Sequence, residues 1–209
     1  MVATRDRLID GALRVLAEQG LTGASARAIA NTAGVNQSLI FYHFGSVDEL
    51  LTQACRRATE QRVALYRARF AAVTTFAQLL AIGRQLHATE RAEGNVTVLA
   101  QLLAGAQTDP RLAPAVAEGL NLWFGEIEAV LHRLTVAMPM ADLFDVPGLA
   151  RAVASAFIGL ELYEGVDTVG AARALDALEQ LSVLVEVVDG LGPVARRALR
   201  AKIRRAGAS

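Results

Sequence analysis

The five prolines stand at positions 110, 114, 139, 147 and 193, so the first 109 residues contain none. Proline breaks helix interiors by removing a backbone donor and crowding the preceding turn. The same stretch shows no sustained alternation of apolar and polar residues, the pattern that a half-buried strand requires. Apolar residues recur instead at intervals of three and four. The chain is therefore expected to be all-α, with helices near 5–19, 26–33, 37–43, 47–70, 75–92, 95–107, 111–134, 148–165, 171–189 and 193–205. The stretch 136–147, which contains Met138-Pro139-Met140, is expected to be a loop or a broken helix.

Local signals sharpen the first four helices. Thr4 is the expected N-cap of the first, with Asp6 in its first turn, where a negative charge suits the helix dipole. Gly20 is placed to take a positive φ after the last turn, and Leu21 to pack back on it. Ser25 caps the second helix and Asn36 the third. Ser46-Val47-Asp48-Glu49 has the form of a capping box that opens the fourth.

The segment 25–44 carries the most specific pattern. Two short helices joined by a tight turn must cross steeply, which needs a small residue at the contact and a positive φ in the turn. Ala30 and Gly34 supply these. Ile29, Ala33, Val35 and Ile40 then face inward and seal a small core. Asn36, Gln37, Ser38, Phe41 and Tyr42 are left at the start and on the outer face of the second short helix. Glutamine can pair bidentately with adenine in the major groove, and an aromatic edge can pack on a thymine methyl. Ser25, Arg27, Tyr42 and His43 stand at helix ends and edges, where their polar groups can reach phosphates.

This run resembles the N-terminal domain of the TetR family of transcriptional regulators. A capped helix reads Ser-x-Arg-x-Ile-Ala from Ser25, Ala33-Gly34-Val35 forms the turn, and the recognition helix ends Phe41-Tyr42-His43-Phe44. Ser-x-x-Glu-Leu-Leu then opens the next helix at Ser46. The resemblance covers about residues 4–52. Two departures are visible: Val47 stands where the family often has lysine, and Phe41 where it commonly has tyrosine. Each removes a polar group that would meet a phosphate. The resemblance implies a three-helix helix-turn-helix domain over 1–47 and a larger helical ligand-binding and dimerisation domain over 48–209. It further implies a homodimer on a palindromic operator in double-stranded DNA, acting as a repressor released by a small-molecule effector.

Residues 53–209 resemble the family only in being helical and alanine-rich, so their roles rest on physical inference. The helix over 171–189 is apolar around most of its circumference, which suits burial on two sides. The helix over 149–164 offers Ala152, Ala156 and Gly159, whose small side chains allow close approach. Together with Leu175, Leu178, Ser182 and Val185 these form the expected dimer interface, a four-helix arrangement across a two-fold axis. Polar residues set among apolar ones mark the expected ligand pocket: His87, Glu90, Gln101, Trp123, Phe124, Glu128, Phe157, Glu161 and Tyr163.

Charge narrows the function classes. The 21 basic and 21 acidic residues cancel overall, but residues 71–195 hold six arginines and fifteen acids. An acidic middle is no surface for a polyanion, so any nucleic-acid contact belongs to the N-terminal segment. The single cysteine, Cys55, excludes an intrachain disulfide framework. Neither a signal peptide nor a membrane span is expected, and the chain is read as cytoplasmic. No Gly-x-Ser-x-Gly, His-Glu-x-x-His or phosphate loop occurs, and Lys202 is the only lysine. No catalytic residue, metal or cofactor is assigned. The alternative is a helical adaptor or ligand-binding protein that has lost DNA binding.

Overall fold

The computed structural model describes residues 3–109, 112–136 and 145–189, with Gly192, Val194, Ala195 and Ala198; the side chains of 181–189 lie outside the description. Among the described residues all regular structure is helical: α1 Thr4–Gly23, α2 Ala26–Ala33, α3 Ser38–Phe44, α4 Val47–Ala71, α5 Phe76–Ala92, α6 Asn95–Thr108, α7 Ala113–Val136, α8 Val146–Glu164 and α9 Thr168–Asp189. The irregular segment expected around Met138-Pro139-Met140 and most of the expected terminal helix over 193–205 lie outside the described residues.

Caps explain most of the boundaries. The Ala28 N–H donates to Ser25 Oγ at 3.2 Å, and the Glu49 N–H donates to Ser46 Oγ at 3.0 Å. Asp145 accepts from the Gly148 N–H at 3.1 Å and Asp167 from the Gly170 N–H at 2.8 Å, so α8 and α9 begin two and three residues earlier than periodicity suggests. Thr4 does not cap α1. It is the first helical residue, preceded by Ala3 in extended conformation with no side-chain cap. Gly20 takes the expected positive φ at 67°, but with ψ at −171° rather than in the left-handed helical region, and so puts a kink before Leu21–Gly23.

The chain divides into two compact units, Met1–Tyr66 with Thr89–Trp123 and Arg67–Ala88 with Phe124–Ser209. In the first, Leu8, Ile9, Ala12, Val15 and Leu16 of α1 meet Ile29, Ala30 and Ala33 of α2. Ile40 and Phe44 of α3 and Leu50, Leu51 and Ala54 of α4 complete this core. Each such large aliphatic side chain, fully buried, contributes roughly 1.5–3 kcal/mol through removal from water. The opening turns of α4 are thus part of this core, which with α1–α3 makes up the N-terminal head. Leu21 packs toward α6, where a Cβ on Gly105 would lie 2.9 Å from it.

In the second unit, Phe70, Val73, Leu79, Val130, Leu131, Ala150, Ala154 and Ala171 are buried. Arg133 Nη2 donates to the Phe70 carbonyl at 2.6 Å, which satisfies an acceptor in the last turn of α4. Thr135 is buried because its hydroxyl donates to the Leu131 carbonyl at 2.8 Å. Arg84 of α5 pairs with Asp176 and Glu179 of α9 at 3.0 and 2.9 Å.

Candidate nucleic-acid interface

The geometry begins at Gly34. Its φ of 63° and ψ of 42° end α2 in a left-handed cap, and the Val35 N–H donates back to the Ala30 carbonyl at 3.0 Å. The chain reverses within Val35–Gln37 and enters α3. Asn36 precedes the helix by two residues yet does the capping: its Oδ1 accepts from the Ser38 N–H at 2.9 Å and from the Ser38 hydroxyl at 2.8 Å.

With that entry fixed, the helical period sorts α3 into two faces. Ile40 and Phe44, four residues apart, are buried in the head. Gln37, Ser38, Phe41 and Tyr42 are exposed, Tyr42 by 81% and Phe41 by 50%. Tyr42 meets its neighbour His43 edge-on, at 4.9 Å between ring centroids. Ser25 and Arg27 are also exposed. Arg27 makes no hydrogen bond or ion pair among the described residues, whereas Arg5 lies over the Phe44 ring and donates to Gln53. Arg57 pairs with Asp6. Val47 is half-buried against the head core, which accounts for an apolar residue there.

Sequence patterning missed two residues of this region. Arg7 Nη2 donates to the carbonyls of Ala33 and Gly34 at 2.8 and 2.7 Å, and Arg14 Nη2 to that of Thr32 at 3.1 Å. The signal that could have found them is their seven-residue spacing on the face of α1 that carries Gly11.

The expected pocket residues divide between the units. Glu90, Gln101 and Trp123 belong to the first. There Glu90 accepts from the Asn95 amide at 2.8 Å and stands 3.5 Å from Arg62, while its buried Oε1 has no hydrogen-bond partner among the described residues. Trp123 lies against Tyr66, at 6.0 Å between centroids. Gln101 is exposed and folds over Gly20. In the second unit, His87 is brought together with Phe157, Glu161 and Glu164. Its Nδ1 is 3.3 Å from Glu161, its Nε2 contacts Glu164, and its ring meets Phe157 edge-on. Phe124 stacks with Arg151, and Glu128 is half-buried. Tyr163 is exposed and donates to Asp167 at 2.8 Å, which raises the phenol's pKa. The Gly170 N–H, and then Tyr163, hold the Asp167 carboxyl below its ordinary range.

Of the expected interface residues, Ala152, Ala156 and Gly159 are exposed on α8, and Leu175 and Leu178 are half-buried on α9. The side chains of Ser182 and Val185 lie outside the described residues. Cys55 packs against the head core, and burial pushes its thiol up to about 11. At pH 8 its alkylation by iodoacetamide should run about a hundredfold slower than that of a free cysteine, since only the thiolate reacts. A rate equal to the free thiol's would contradict this burial.

Residues 8–54 match the model of the bacterial regulatory proteins of the tetR family. An HTH-type transcriptional regulator of Mycobacterium tuberculosis is 23% identical over 163 residues, 77% of this chain and 82% of that one. The HTH-type transcriptional regulator BetI of Rhizobium meliloti is 42% identical over 52 residues, 25% of this chain and 26% of that one. Among solved structures, a transcriptional regulator of Rhodococcus sp. RHA1 is 26% identical with a TM-score of 0.63, covering 87% of this chain and 97% of that one. The multidrug binding protein EbrR complexed with proflavin is 24% identical with a TM-score of 0.60, covering 86% and 99%.

Proposed function

We propose, from the chain's membership of the tetR family of bacterial regulatory proteins, that this helix-turn-helix transcriptional regulator is a repressor that two copies bring to a palindromic operator and a small molecule releases. The observation that carries the reading is the outer face of α3. Tyr42 and Phe41 are large, apolar and exposed, beside Gln37 and Ser38, on a helix whose opposite face is anchored in the core. An exposed aromatic on a rigid scaffold suits a groove wall, and glutamine suits a base edge. Ser25, Arg27, Asn36 and His43 are assigned to the phosphate and edge contacts around it.

The dimer is assigned to α8 and α9. Among the described helices α8 is the one long and apolar enough to cross a membrane by length and composition. Its exposed face carries Ala152, Ala156 and Gly159, which fit a second helix, and Arg151, which does not fit lipid. The effector reading is supported by the buried Glu90 Oε1, which has no hydrogen-bond partner among the described residues and which an incoming donor would satisfy, and by EbrR, a structural neighbour that takes proflavin. The protein would act in the cytoplasm, on DNA, with no catalytic role.

Operator duplexes selected from random sequence by the purified protein test this. Tyr42→Ala should weaken binding to the selected duplex roughly tenfold or more while leaving the folded state intact. Affinity should fall with added salt. Selection of no duplex would favour an adaptor that has lost DNA binding, and affinity unchanged by Tyr42→Ala would remove Tyr42 from the contact.

A further inference from the structure

The α1 arginines would ordinarily be read as phosphate contacts, being exposed cations on a DNA-binding head. We propose instead that Arg7, Gly11 and Arg14 form a docking stripe on α1 that fixes the pitch of the helix-turn-helix, the two arginines acting as positioning residues. The proposal rests on the DNA-binding reading above.

Positions 7, 11 and 14 share one helical face. At its centre the backbones of α1 and α2 touch: a Cβ on Gly11 would lie 3.0 Å from the Ala33 Cβ and 3.2 Å from both the Ala33 nitrogen and the Ile29 oxygen. On either side a guanidinium reaches across. Arg7 takes the carbonyls of Ala33 and Gly34, and Arg14 that of Thr32. The last carbonyls of a helix lack intrahelical donors and form the negative end of its dipole, so a guanidinium there satisfies acceptor and dipole together. These three carbonyls immediately precede the turn into α3. Gly34 serves the clamp too, since a Cβ there would lie 3.0 Å from Arg7 Nη2, besides the strain of its positive φ. Two anchored points and one close contact tie the end of α2 to α1, and through a turn of three residues they tie α3 as well.

Arg7→Gln and Arg14→Gln decide the matter through two measurements. The first is affinity for the selected operator and for a scrambled duplex across a salt series. Each substitution should weaken the operator at least about tenfold, since a charge-assisted hydrogen bond is lost in each head, with the scrambled duplex and the salt slope unchanged. A slope shallower by about 0.9 per arginine and head would make them phosphate contacts and overturn the proposal. Equal losses on both duplexes, or no loss, would also overturn it. The second is amide exchange at Gly34 and Val35 in the DNA-free protein, which should quicken about tenfold, as the loss of one such bond does. Should the parent protein select no duplex, the DNA reading fails, yet exchange still judges the clamp: unaltered protection of these two amides overturns it.

Discussion

Gly159→Arg is expected to leave the chain folded, make it monomeric and reduce operator affinity at least about a hundredfold. The expectation comes from two opposed facts at one position. A Cβ built on Gly159 meets nothing within 4 Å among the described residues beyond its own stretch of helix, so the fold itself has room for a side chain. The surface around it nevertheless has the composition of a contact. Ala152 and Ala156 lie seven and three residues before it, both exposed, and Leu162, Val166 and Val169 continue an exposed apolar surface past the end of α8. Exposed apolar surface of this extent marks an association site, and small residues in register let two helices approach to about 8–10 Å. An arginine at the centre of such a contact would meet its own counterpart across the two-fold axis, so one substitution acts twice. In the proposed dimer each head alone would read one half-site, and separation would forfeit the effective concentration that the second half-site supplies. Sedimentation velocity at micromolar protein and operator titration check the prediction together. A variant that remains dimeric with parental affinity would move the interface away from α8.

What the sequence disclosed, and what it withheld, divides along the range of the interaction. Elements set by local chemistry were legible. Ser25, Ser46 and Gly34 act through neighbours within four residues, and the structure finds each in its expected local role. The two faces of α3 follow from periodicity alone. Thr4 shows the limit even of local signals, because Ala3 already ends the extended segment and the threonine falls inside the helix. Partners distant in sequence were not legible. His87 and Glu90 share a helix and a three-residue spacing that suggests a common site. The structure instead gives His87 to Glu161 and Glu164, more than seventy residues on, and Glu90 to Arg62 and Asn95. Arg7 and Arg14 escaped for the same reason: their seven-residue spacing places them on one face of α1, but the carbonyls they reach, at 33, 34 and 32, lie far along the chain.

The second large effect is expected at Ile40. Its seven-residue helix is too short to be stable by itself, since isolated helices below about 12–15 residues are marginal in water. It is held by what it buries, and its buried residues are Ile40 and Phe44. Ile40 is 0% exposed within the head core. Ile40→Ala therefore removes one of two anchors and leaves a cavity, for a destabilisation of about 2–5 kcal/mol. The loss falls on the element that carries Gln37 and Tyr42 outward, so operator binding should fall further than with Tyr42→Ala, although Ile40 itself faces into the core. Ile40→Val, which deletes one methyl group, should cost about 0.5–1.5 kcal/mol and retain binding. Tyr42→Ala should move stability by no more than about 0.5 kcal/mol, because its side chain is open to solvent. Urea denaturation of the three variants beside operator titration separates anchoring from contact. If Ile40→Ala melts with the parent protein while Tyr42→Ala unfolds early, the two faces of α3 have been assigned the wrong way round.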